Sequence, residues 1–107
     1  MVKNIPERNQ KMIKHIVCFK LANPSEEACI RAREVLLSMI GNVPTVREIE
    51  VGLDILHSPR SYDIHLSVVV DDRDALTEYA NDPYHCKVVK THMHAVTEKS
   101  VSVDFEI

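Results

Sequence analysis

Apolar and polar residues alternate with period two along four stretches of this chain, and between them run two stretches with helical spacing. In Ile13–Leu21, the residues Ile13, His15, Val17, Phe19 and Leu21 share one face, and Lys14, Ile16, Cys18 and Lys20 the other, as in a β-strand. That second face is apolar in its middle, where a one-sided sheet would carry polar residues, so a covering partner is expected. Asn23-Pro24-Ser25-Glu26 combines a cap, an N1 proline and a Glu at the capping-box position. The spacing that follows predicts a helix through Ile40. Cys29, Ala32, Leu36 and Met39 form its stripe, and Val35 and Ile40 widen it. Gly41 is placed to end this helix and Pro44 to prevent its resumption.

Val46–Val51 reads as a short strand with Gly52 as a bend, and Leu53–Ser61 as the longest loop. Tyr62–Val70 alternates most regularly, with Tyr62 and Asp63 setting the strand start. Asp71 and Asp72 cap a helix carrying Ala75, Leu76, Tyr79 and Ala80, which Pro83 breaks. Beyond it, His85, Val88, Val89, His92 and Val96 keep helical spacing. Ser100–Ile107 then alternates, with Val101, Val103, Phe105 and Ile107 placed inward. The order β-α-β-β-α-β predicts an α+β, ferredoxin-like domain: a four-stranded antiparallel sheet with the helices on one face. Residues 1–11 show no periodicity and read as an N-terminal arm, the domain itself spanning residues 12–107.

Composition changes this picture only by exclusion. A chain of 107 residues with 45% hydrophobic and 27% charged content is an ordinary single domain. Its net charge of -3 argues against a nucleic-acid or anionic-membrane partner. Two glycines leave no phosphate-cradling loop. Cys18, Cys29 and Cys86 are odd in number and widely spaced, which fits small buried thiols in a reducing compartment. With no signal-peptide pattern at the start and no membrane-length apolar run, a cytoplasmic protein is expected.

Candidate chemistry gathers at Tyr79-Ala80-Asn81-Asp82-Pro83-Tyr84-His85-Cys86. Asp82 before Pro83 is a helix-start pair, which puts His85 in a first turn and Tyr79 at the end of the preceding helix. The partial positive charge of a helix start disfavours imidazolium, leaving a neutral base beside a phenol. The bland alternative is a capping histidine and a core tyrosine. His15, flanked on its face by Val17 and Phe19, has the look of a satisfied core histidine, and His57 that of a solvated loop residue. His85 and His92 would stand about 10 Å apart along one helix, and His92 and His94 point to different sides, so no metal site and no cofactor are expected.

The first strand, Pro44 followed by Val51-Gly52, Arg60-Ser61-Tyr62-Asp63, Tyr79-x5-His85 around Pro83, and Val103-Asp104-Phe105 together resemble the stress-responsive dimeric α/β-barrel (Dabb) family, across residues 12–107. The resemblance implies a homodimer in which two sheets face one another as a barrel, covering Ile16, Cys18, Val46 and Val69. It also implies a cavity between each sheet and its helices. In the polyketide-cyclase branch the Tyr-x5-His pair is the acid/base pair of ring closure; Tyr79 and His85 match it, and His15 matches a further cavity histidine. Those cyclases carry another histidine where this chain has Ile64, and the neighbouring His65 belongs to the opposite face. The reading that results is a dimeric protein with a cavity for a small, largely apolar ligand. The alternative is a cofactor-free cyclase or isomerase acting on a keto compound through His85 and Tyr79. An oxygenase of the related haem-degrading or quinone-forming type lacks support: no Asn/Trp pairing with an axial histidine stands out, and the chain has no tryptophan.

Overall fold

The alternating stretches form one antiparallel sheet in the order β2-β3-β1-β4. The structure, a computed structural model, describes residues 11–107. Its elements are β1 (Ile13–Leu21), α1 (Glu26–Leu37), β2 (Glu48–Leu53), β3 (Ile64–Val70) and α2 (Arg73–Asn81). A π-helical stretch (His85–Val89) then runs into α3 (Lys90–Val96), and β4 (Thr97–Glu106) closes the chain. The expected arm lies outside the described residues apart from Lys11, whose Nζ stands 4.0 Å from Glu106 Oε1.

Ile13 and Leu21 on β1, and Ile64, Leu66, Val68 and Val70 on β3, are buried with Ala32, Val35 and Leu36 of α1 and with Ala75, Tyr79, Val89 and Met93. Full burial of a Val- or Leu-sized side chain contributes roughly 1.5–3 kcal/mol. Helices of seven to twelve residues are marginal in isolation, so this layer and not propensity holds them.

Ser25 Oγ caps α1, accepting from Ala28 N–H at 3.0 Å, and Asp72 Oδ1 caps α2, accepting from Ala75 N–H at 2.8 Å. The start of α1 is two residues later than expected, so Pro24 precedes the cap and Glu26, not Pro24, is the first helical residue. α1 stops at Leu37, short of the expected Ile40, because the next turn tightens into i→i+3 bonds from Met39 and Ile40. Ser38 Oγ also donates to the Val35 carbonyl, and Gly41 adopts φ 82°, a conformation natural to glycine. Gly52 is not a bend but a paired strand residue opposite His65. β2 begins at Glu48, so Val46 sits ahead of it and packs on the helix-side core, away from the sheet's second face.

The main departure concerns β4. Val101, Val103 and Phe105 pair with Cys18, Ile16 and Lys14, all on the face away from the helices. They are therefore outward, 51%, 54% and 42% exposed. Ser100, Ser102 and Asp104 pair with Phe19, Val17 and His15 on the helix side. A strand has two faces and a one-residue parity error exchanges them. The chain thus presents an open sheet face bearing Ile16, Cys18, Val101, Val103 and Phe105.

Candidate functional site

Three elements converge on Tyr79. It lies on α2's apolar stripe with Leu76 and Ala80 and is 2% exposed. Asp82 then caps the next helical segment: its Oδ1 accepts from His85 N–H at 3.0 Å and its carbonyl from Cys86 N–H at 2.9 Å, with Pro83 at the first position. This corner folds the His85 ring back onto Tyr79, with centroids 4.4 Å apart and planes at 28°. The helix continues as a π-helical stretch whose closing bond runs from Lys90 N–H to the His85 carbonyl. Such wide turns are frequent at functional sites. His15, from the middle of β1, meets Tyr79 edge-on at 5.5 Å.

The three expected residues thus share one cavity of about 310 Å³, walled by Val17, Phe19, Leu66, Leu76 and Val89. Its volume is at the small end of the ~300–1,000 Å³ usual for ligand pockets. Sequence reasoning missed Asp104, Lys90 and His94, which also line it. Asp104 Oδ1 lies 2.5 Å from His15 Nδ1 and holds that nitrogen as the N–H donor. It was missed through the parity of β4. The available signal was that an apolar row on β4 matches the uncovered apolar middle of β1's second face, which leaves Asp104 with His15.

Electrostatics assign different roles to the two stacked rings. Burial pushes the Tyr79 phenol far above its ordinary range, so it remains a hydrogen-bond donor. Burial also lowers the His85 pKa, and the charge on Lys90 and His15 lower it further, against a smaller opposing pull from the Ala80 and Tyr79 carbonyls. The lowering expected at a helix start is therefore present, and desolvation and a neighbouring ammonium contribute to it. Neither carbonyl completes a hydrogen bond to the ring: the Tyr79 hydroxyl and His85 Nδ1 are both buried without a partner among the described residues.

Ile64 is a core residue, 2% exposed, and His65 faces the open side of the sheet opposite Cys18 and Gly52. His57 is in the β2–β3 loop, where its backbone N–H donates to Asp54 Oδ2 at 2.6 Å. Among the described residues no three His, Cys, Asp or Glu side chains stand close enough together to hold a metal ion. No helix among them is long and apolar enough to cross a membrane.

The chain is similar to an uncharacterised protein of Streptomyces coelicolor, 32% identical over 77 residues that span 69% of this chain and 79% of that one. A dimeric protein of unknown function and ferredoxin-like fold from Bacteroides fragilis is 27% identical, with a TM-score of 0.73 over 90% of this chain and 96% of that one. A hydroxynitrile lyase from Passiflora edulis shares the fold at 16% identity, with a TM-score of 0.72 over 92% and 93% of the two chains. The Stress responsive A/B Barrel Domain family matches residues 13–107, and the four-stranded antiparallel sheet with its helices on one face is the fold this match implies: the chain belongs to the Dabb family.

Proposed function

We propose that this protein pairs with a second copy through the open face of its sheet, and that each protomer holds a small, largely apolar ligand carrying a carbonyl-type oxygen. The observation that carries the ligand reading is the pair of unmet polar atoms, the Tyr79 hydroxyl and His85 Nδ1, beside one apolar-walled cavity. A buried polar group without a partner costs about 1–3 kcal/mol. Both atoms are closed to solvent in the free chain, so a ligand oxygen accepts from Tyr79 only after a small shift of the cavity wall, which removes one such cost while the ligand's apolar body fills the cavity. The pairing reading rests on the apolar row of β4 and on the dimeric state of the Bacteroides fragilis neighbour.

The test compares acetophenone with α-methylstyrene, its shape-matched analogue without the oxygen, by amide-shift titration. Acetophenone is expected to give saturable shifts at Tyr79 and His85 and to bind about tenfold more tightly than the analogue. Tyr79→Phe should erase that preference and, by removing an unpaired buried hydroxyl, leave the fold at least as stable. Equal binding of the two compounds, or no shift at this cavity, would overturn the reading.

A second reading, a cofactor-free acid/base enzyme, is favoured by one specific observation: a neutral imidazole stacked on a phenol that keeps its proton. His85 would take the proton α to the carbonyl, the electron pair moving onto the oxygen where Tyr79 donates a hydrogen bond; the imidazolium then returns the proton. A hydroxynitrile lyase on the same fold is consistent with such chemistry. Exchange of acetophenone methyl protons for deuterium in D₂O, lost in His85→Gln, is the expected result; exchange no faster than buffer would exclude it for this ketone class.

A further inference from the structure

A second cavity, larger than the one beside Tyr79, lies elsewhere. It encloses about 660 Å³ between the end of β1, the first turn of α1 and the β2–β3 loop, and none of His15, Tyr79 and His85 borders it. Its deepest polar group is Asp63, only 9% exposed. One Asp63 oxygen accepts the buried Leu21 N–H at 2.8 Å. The other takes no hydrogen bond from the described residues, and Asp63 is part of the cavity wall.

The rest of the wall matches this carboxylate. Glu26 and Asp54 add negative charge, so the three carboxylates outnumber the one ammonium of the wall, Lys20, which donates to the Ser61 carbonyl at 3.3 Å. Cys29 contributes a neutral thiol, since burial and the nearby Asp63 charge both push its pKa up. Leu53, Pro24 and Ile55 supply apolar surface, with the Ile55 side chain standing 92% exposed at the rim. These carboxylates do not converge on a point: among the described residues no group of three could hold a metal ion. A spread of negative charge around a roomy, partly apolar space suits an extended organic cation.

We propose that this cavity is a second ligand site, which takes a small organic ammonium whose N–H groups meet the free oxygen of Asp63 and whose apolar body lies against Pro24, Leu53 and Ile55. A buried carboxylate with an unused lone pair gains a charge-assisted hydrogen bond, roughly twice as strong as a neutral one. The site is independent of the histidine–tyrosine cavity and of what that cavity binds.

The experiment is an amide-shift titration of the full chain with benzylammonium, and with benzyl alcohol as its neutral near-isostere. Benzylammonium should give saturable shifts at Leu21, Cys29, His57 and Asp63 and bind about tenfold more tightly than the alcohol. Asp63→Asn, whose amide oxygen can still accept the Leu21 N–H, should remove that preference. Glu26→Gln, at an exposed position with no part in the core, should weaken ammonium binding alone, and His85→Ala should leave it unchanged. Equal binding of alcohol and ammonium, shifts confined to the Tyr79–His85 cavity, or the absence of saturable shifts would each overturn the proposal. Should Asp63→Asn fail to fold, the alcohol comparison and Glu26→Gln decide it.

Discussion

The His85 imidazole is buried against the Tyr79 ring with the Lys90 ammonium nearby, and both conditions penalise its protonated form. The sign of the pH dependence follows. Above about 6.5, the ordinary histidine value, His85 is neutral in folded and unfolded chains alike and its folded-state environment costs nothing. As pH falls from 6.5 towards the lower folded value, the unfolded chain binds a proton that the native site resists, so stability is lost. Urea denaturation between pH 8 and pH 5 should therefore show the native protein losing more stability on acidification than His85→Gln. A smaller loss than in the variant would mean that the folded protein favours imidazolium and that the poised-base account is wrong. Tyr79 and His85 were legible as a pair because five intervening residues with a proline make a corner. Asp104 was not legible as a partner of His15, since 89 residues separate them and only strand pairing brings them together.

At the level of elements, the corner depends on Asp82. Its carboxylate satisfies the His85 N–H at the start of the second helical segment, and Asp82→Ala should cost about 1 kcal/mol of stability. Asp82→Asn, which keeps an acceptor, should cost only a few tenths; chemical denaturation distinguishes the two, and equal losses would show that the cap is not what holds the corner. The caps, the proline break and the strand alternation were all written locally. The end of α1 was not: Met39 and Ile40 keep helical spacing, yet the tighter turn after Ser38 wins because Met39 is completely buried in the core. Periodicity also cannot report a π-helical stretch, because it differs from an α-helix by a single hydrogen-bond offset.

For the whole molecule, the open sheet face is the feature to test. Val103 sits at its middle opposite Ile16 and is 54% exposed in the protomer. Val103→Asp should leave the protomer fold intact, by circular dichroism and melting, while sedimentation shows monomers where the native chain gives dimers. The reason is that an unpaired carboxylate buried in a dimer seam is costly, by several kcal/mol. A variant that remains dimeric would place the interface elsewhere.

What the amino-acid order determined by itself was everything set by near neighbours along the chain: four strands, the helix starts, the break at Pro83, and the Tyr79–His85 corner. Period, cap and proline act within a few residues, so they are readable one segment at a time. Tertiary structure alone decided which face of β4 meets the helices, that Val46 joins the core while Gly52 enters a strand, and that Asp104 reaches His15. It also decided the burial and the nearby Lys90 ammonium that lower the His85 pKa. Each of these turns on which surface loses water against which other surface. Alternation along a strand records two faces but not which of them a distant element will cover.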